Sequence, residues 1–260
     1  MVIKTNTQSF IWEKRDRPEL LVLRKNYNLD SVVKEGKDEF SRMLLLKEWV
    51  YQILPHGNNP KEYQSSLGIL GDIKSGEFYC SHFALVFIQC AIALGWYTRK
   101  LGVDHDHQFS EEEMHHGVAD IWSNQFNKWF IVDAMHNLHF EKKGIPLNSY
   151  EIRSEYLKNK ATDVVGIIGN YKEKVSYQSN DLGFNKPSNY FWFFIILRNN
   201  FFEDINMYNG KSLLWSDKYN QDKIWYKGGG SKGESYPHPQ YQNQFIKTND
   251  YGLCFPEMVN

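Results

Sequence analysis

A thiol, an imidazole and a carboxylate, the three groups that together perform acyl transfer, occur in the order Cys80, His116, Asp133. A thiolate attacks a carbonyl carbon, an imidazole takes and returns the proton, and a carboxylate orients the imidazole. Cys80 opens a run in which Phe83, Ala84, Phe87, Cys90, Ala91 and Leu94 form an apolar helical face that stops at Gly95. A thiol in the first turn of a helix feels the positive end of the dipole and unpaired N–H groups. Both favour thiolate, and the same N–H groups suit an oxyanion. By position alone, the commoner reading of Cys80 is a buried structural thiol. Cys90 lies inside the apolar face and Cys254 has no basic neighbour in sequence, so both read as structural. Three widely spaced cysteines make neither a disulfide framework nor a Cys-x-x-Cys zinc pair.

The base and its orienter fall on a β-hairpin. Residues 117–122 and 128–133 are β-prone runs flanking the polar stretch Ser123-Asn124-Gln125-Phe126-Asn127. With Ser123 to Phe126 as the loop, Trp122 faces Asn127 and His116 faces Asp133. Directly opposed residues share a face with Cβ atoms about 4.5–5.5 Å apart, the reach of a carboxylate to an imidazole. A slip of one residue would put the two on opposite faces and favour His115 as base instead. His82 lies roughly 200° around the helix from Cys80 and points away. His136 and His139 follow Asp133 and are candidates to line the same cleft.

The remaining elements frame this set. Residues 10–37 are mixed in character. Phe40, Met43, Leu44, Leu46, Val50, Ile53 and Leu54 recur at helical spacing, with Asp38 as cap and Pro55 as stop. Residues 101–103 begin a strand, 104–115 form a polar loop, and 148–160 are helical. From Pro187 onward short aromatic runs (190–197, 213–215, 224–226) read as strands, and the Gly228-Gly229-Gly230 stretch lacks the Lys-Ser/Thr of a phosphate-binding loop. The fold class expected is α+β, with a Cys-bearing central helix packed on an antiparallel sheet. Residues 1–186 form the catalytic domain with an N-terminal lead-in, and 187–260 a β-rich extension packed on it.

Composition restricts the function. The 260 residues are 42% hydrophobic, with 8 Trp, 16 Tyr and 17 Phe, enough for a sizeable core. A formal net charge of −1 gives no electrostatic case for nucleic acid or an acidic membrane surface. The start of the chain lacks the apolar run of a secretory signal, so as it stands it reads as cytoplasmic, or extracytoplasmic if a leader precedes it. No run approaches the ~20 apolar residues of a spanning helix.

The ordered set resembles the transglutaminase-like superfamily, whose core is a circularly rearranged relative of papain. Gly76 to Cys80 and the helix ending Leu94-Gly95-Trp96-Tyr97-Thr98-Arg99 are similar to its first motif. His116-Gly117-Val118-Ala119-Asp120 is similar to its His-x-Trp-x-Glu strand, and Trp129-Phe130-Ile131-Val132-Asp133 to its Trp-x-x-x-Asp strand. Val118 stands for the usual Trp, Asp120 for the usual Glu, and Gly76 is spaced differently from Cys80. The resemblance covers about residues 40–160. It implies Cys80 as nucleophile, His116 as base, Asp133 as orienter and Arg99 as a structural cation. It further implies a thioester route to amide hydrolysis on protein or peptide substrates, without cofactor or metal. An amine in place of water would give a protein-crosslinking transglutaminase, and loss of activity would leave a peptide- or glycan-binding module. A separate reading of His105, His107, Glu111–Glu113, His115 and His116 is a metal-binding loop; a solvated linker beside the cleft explains the same residues.

Overall fold

The computed structural model describes residues 10–57, 63, 65–74, 76–105, 115–177, 186–203, 210–219, 226–227, 235–236 and 245–258. The N-terminal half contains α1 (Pro18–Asn26), α2 (Leu29–Val32), α3 (Glu39–Ile53), α4 (Ser66–Gly71), α5 (Cys80–Ala93), β1 (Thr98–Asp104), β2 (His116–Ser123) and β3 (Lys128–Val132). There follow β4 (Leu138–Lys142), β5 (Ile145–Pro146), α6 (Ser149–Asn159), β6 (Val165–Ile168) and β7 (Glu173–Ser176). The rest comprises β8 (Trp192–Ile196), β9 (Ser212–Trp215), β10 (Tyr226–Lys227), β11 (Ser235–Tyr236), β12 (Phe245–Thr248) and α7 (Tyr251–Cys254).

The helix carrying Cys80 is central because its sequence leaves it no polar face. Every residue from Ser81 to Ile92 is buried. Its end is a Schellman motif: Trp96 N–H donates to the Ala91 carbonyl at 3.0 Å, Gly95 N–H to the Ile92 carbonyl at 2.9 Å, and Gly95 has φ +95°. α3 lies alongside, started by a reciprocal cap between Asp38 and Ser41. The segment 10–37, mixed in sequence, contains two helices. In α1 only Leu20 and Leu23 are buried while Leu21 and Val22 are exposed, so two anchors produce little periodicity.

The fold is α+β, with helices packed on a largely antiparallel sheet. Six strands run in the order β12-β9-β8-β1-β2-β3, with only the β12–β9 pair parallel. A second antiparallel sheet has the order β5-β4-β6-β7. Both faces of the six-stranded sheet are covered. Ala119, Ile121, Phe130 and Val132 pack with α3 and α5, whereas Val118, Trp122, Trp129 and Ile131 pack with the C-terminal strands and α6. All eight residues of β2 are therefore buried. The aromatic runs beyond Pro187 supply β8 and β9, and β8 pairs directly with β1. No helix among the described residues is long and apolar enough to cross a membrane.

Arg99 and Asp120 face each other across β1 and β2. The Arg99 guanidinium bonds Asp120 Oδ2 through Nη2 at 2.8 Å and Nε at 3.2 Å, and lies 4.2 Å over the Trp129 ring. Burial pushes the Asp120 carboxyl up to about 6 against the pull of Arg99. Removing one member of a buried pair strands the other. Arg99→Leu is expected to cost roughly 3–5 kcal/mol, read as a lowered denaturant midpoint. A midpoint unchanged within error would show that the pair contributes nothing net.

Candidate active site

Cys80 is the first residue of α5. No side chain caps that helix start, and the Tyr79 carbonyl takes the N–H groups of His82 and Phe83. The sulfur is held from β2: Gly117 N–H donates to Sγ at 3.4 Å. Gly117 makes this approach possible. A Cβ there would lie 3.1 Å from Ser81 Oγ, a tight contact, and 3.6 Å from Ser81 Cα, an ordinary one, so the helix start packs directly on the glycine.

His116 and Asp133 meet through a register that differs from the expected one. Trp122 pairs with Trp129 and Ser123 with Lys128, so the turn is 124–127 rather than 123–126. Asn127 takes φ +52°, a conformation Asn tolerates, and Ser123 stays in the strand with its hydroxyl donating to Glu39 Oε2 at 3.3 Å. Moving the turn by one residue shifts each partner by two, which preserves the face. Extending the ladder one step sets Val118 opposite Asp133 and makes His116 its diagonal neighbour. The imidazole spans that diagonal, with Nε2 2.8 Å from Asp133 Oδ2. Asp133 itself closes the turn into β4 by exchanging both backbone bonds with Leu138 at 2.9 Å.

Asp133 is the most heavily bonded acid at the site. Its Oδ1 accepts Met135 N–H and His136 N–H, each at 3.1 Å. Its Oδ2 accepts from His116 and from His136 Nδ1 at 2.7 Å. Burial alone would raise this carboxyl, but the two imidazoles hold it well below the ordinary carboxylate range. Burial also disfavours charge on His116, yet Asp133 and the Cys80 sulfur raise the imidazole to about 10. Burial would raise the Cys80 thiol, but the His116 hydrogen bond and charge, the Gly117 amide and Lys100 bring it down to about 7. Burial pushes Cys90 well above the ordinary thiol range, and it pushes Cys254 up to about 12 against the weaker pull of Arg99. Because His116 Nε2 is engaged by Asp133, Nδ1 is the ring nitrogen left for the thiol.

The other histidines separate cleanly. His115 stacks on Phe194 of β8 with centroids 6.1 Å apart, and burial pushes it down to about 4. His82 is buried among Tyr63, Phe78 and Tyr79. His136, half-buried, reaches the site through Asp133. His139 does not line the cleft: it is fully buried, meeting Lys47 Nζ at 3.2 Å and Glu141 Oε1 at 2.9 Å. The core demands this, since β4 is covered on the α3 side by Phe40 and Phe130 against the His139 ring.

The proposed metal loop, residues 106–114, lies outside the described residues, although His105 beside it bonds Asp104 at 3.1 Å. Among the described residues, His116, Asp133 and His136 bring potential ligand atoms within 4.8 Å of one another. The contacts at 2.7 and 2.8 Å are hydrogen bonds. Ligand atoms sharing one tetrahedral zinc stand about 3.3 Å apart, so an ion would have to part them.

Sequence reasoning missed two buried lysines near the site. Lys47 of α3 donates to the Gly169 carbonyl at 3.0 Å, and burial lowers it to about 7 against the charges of Asp133 and Glu141. Lys100 of β1 is 1% exposed and acts on Cys80. A signal for Lys100 was present. Two adjacent cations in a strand, Arg99 and Lys100, must send one to each face, and both faces of this sheet are covered.

No protein-family model matches the chain, and no curated protein matches it. Among solved structures, it is similar to one described as "a Putative Cysteine Protease from Cytophaga hutchinsonii", with a TM-score of 0.36 and 12% identity. The likeness covers 65% of this chain and 59% of that one, so the chain spans less than two thirds of its length. A similarity of that extent carries no argument about activity.

Proposed function

We propose that this protein is a cysteine-dependent hydrolase that cleaves amide bonds in protein or peptide substrates, with Cys80 as nucleophile, His116 as base and Asp133 as orienter. The observation that carries this reading is the chain of contacts from Asp133 through His116 to a thiol held at a helix start. His116 takes the Cys80 proton, giving a thiolate–imidazolium pair. The thiolate attacks the carbonyl, and the negative oxygen formed is stabilised by N–H groups at the start of α5. The carbon–nitrogen bond then breaks, His116 gives its proton to the leaving amine, and a thioester remains on Cys80. Water, deprotonated by His116, attacks the thioester and releases the acid and the thiol.

Cysteine mapping after brief iodoacetamide treatment at pH 6 is the direct test. Cys80 is expected to react at least tenfold faster than a free peptide thiol of pKa about 8.5, with Cys90 and Cys254 unmodified until unfolding. Labelling of Cys80 no faster than the peptide thiol would refute the reading. Incubation with casein and a fluorescent primary amine separates the outcomes of the thioester. Peptide release supports hydrolysis, whereas amine incorporation without cleavage would replace it with transamidation.

A further inference from the structure

The sheet brings a second cation to the nucleophile. Lys100 pairs with Ala119 across β1 and β2, and Gly117 is its diagonal neighbour on the same face. The lysine stem lies along the space that Gly117 leaves: Lys100 Cε is 3.6 Å from where a Gly117 Cβ would stand, and Ser81 Oγ is 3.1 Å from the same point. Gly117 also holds the Cys80 sulfur by its N–H at 3.4 Å. The lysine end, the start of α5 and the sulfur thus converge on one glycine. Burying an ammonium is expensive, and it persists where negative charge or hydrogen bonding compensates it.

We propose that Lys100 is a positioning residue for Cys80, a buried ammonium that stabilises the thiolate independently of His116 and favours negative charge at the reacting sulfur. This deepens the hydrolase reading and rests on it. Charged and titratable groups that act with Lys100 include Cys80 and His82 on α5, and His115 just before β2, with Asp104 of β1 acting on that histidine. Both histidines are pushed down to about 4, so neither competes for the positive charge near neutral pH. Burial lowers Lys100 to about 8, with the Cys80 charge opposing, so the ammonium persists through neutrality and is lost above it. The imidazolium of His116, raised to about 10, outlasts it. The site therefore carries two cations below pH 8 and one between about 8 and 10.

The test compares alkylation of Cys80 by neutral iodoacetamide and anionic iodoacetate from pH 5 to 10, in wild type, Lys100→Met and Lys100→Arg. In Lys100→Met the iodoacetamide inflection is expected to move up by about one pH unit, with a rate at pH 6 lower by roughly tenfold. The preference for iodoacetate over iodoacetamide, relative to the unfolded protein, is expected to fall several-fold, and Lys100→Arg to restore both. The wild type gives a second reading that needs no variant: its preference for iodoacetate should drop between pH 7 and 9. A wild-type preference no greater than that of the unfolded thiol, or a Lys100→Met profile superimposed on wild type, would overturn the role of Lys100 while leaving the hydrolase reading intact. A wild-type Cys80 that alkylates no faster than a peptide thiol overturns the hydrolase reading itself.

Discussion

Replacing His116 with alanine is expected to slow alkylation of Cys80 at pH 6 by about 100-fold and to abolish amide cleavage. The thiol in the folded protein stands at about 7 because His116 outweighs much of the burial that would raise it. At pH 6 roughly a tenth of it is thiolate; without the imidazole, burial returns the thiol to or above the ordinary value, and the thiolate fraction falls to about one in a thousand. Asp133→Asn separates orientation from proton transfer. The amide retains a hydrogen-bond acceptor for His116 but loses the negative charge that holds the ring as imidazolium. Cleavage is expected to fall by about 10⁴-fold, while Cys80 alkylation falls much less than in His116→Ala. The measurements are single-turnover cleavage of a peptide that wild type cuts, and pH-resolved alkylation. If His116→Ala alkylates at the wild-type rate, His116 is not the base and the proposed mechanism fails with it.

The second large effect is on stability. Asp133→Ala leaves His116 and His136 without their shared acceptor in a buried site. A cost of about 3–5 kcal/mol follows, enough to lower the melting temperature by roughly 10 °C in a chain of this size. Its pH window follows from the shifts. Asp133 is depressed below its ordinary 3.8, so its contribution is present above that pH and lost as pH falls below it. His116 is raised from 6.5 to about 10, so its contribution is complete below 6.5 and lost as pH rises through 10. Cys80 is lowered from 9.0 to about 7 and acts oppositely, adding stability as pH rises from 7 to 9. Between about 7 and 9 these two slopes cancel, while Lys47, lowered to about 7, and Lys100, lowered to about 8, add stability as pH rises toward 10.5 in wild type and Cys80→Ser alike. Cys80→Ser lacks the compensating thiolate, so its stability should fall relative to wild type as pH rises from about 7 to 9. Chemical denaturation at half-unit steps from pH 4 to 10 reads both. Parallel curves for wild type and Cys80→Ser would rule out the coupled thiolate–imidazolium pair.

Several parts of this molecule were legible in the linear chain. The bounds of α3 and α5 followed from apolar spacing and from Asp38, Pro55 and Gly95, because helix signals are local: cap, period and stop lie within a few residues of the atoms they govern. The common face of His116 and Asp133 was legible for a related reason. Side chains alternate with period two, so a one-residue displacement of the turn changed their partners without changing their face. The exact pairing was not legible, since Asn127 and Ser123 chose the turn through a left-handed conformation and a contact with Glu39, which lies 84 residues away from Ser123.

Only the tertiary structure decided how the thiol is governed. The sequence by itself determined that a cysteine opens a helix with no polar face and that an imidazole and a carboxylate share one face of a hairpin. It could not determine that Gly117 lets the helix start rest on the strand, that Asp133 is shared between His116 and His136, or that Lys100 runs toward the same glycine. Those facts depend on contacts between segments far apart in the chain, and on burial, which makes each charge at the site felt by the others.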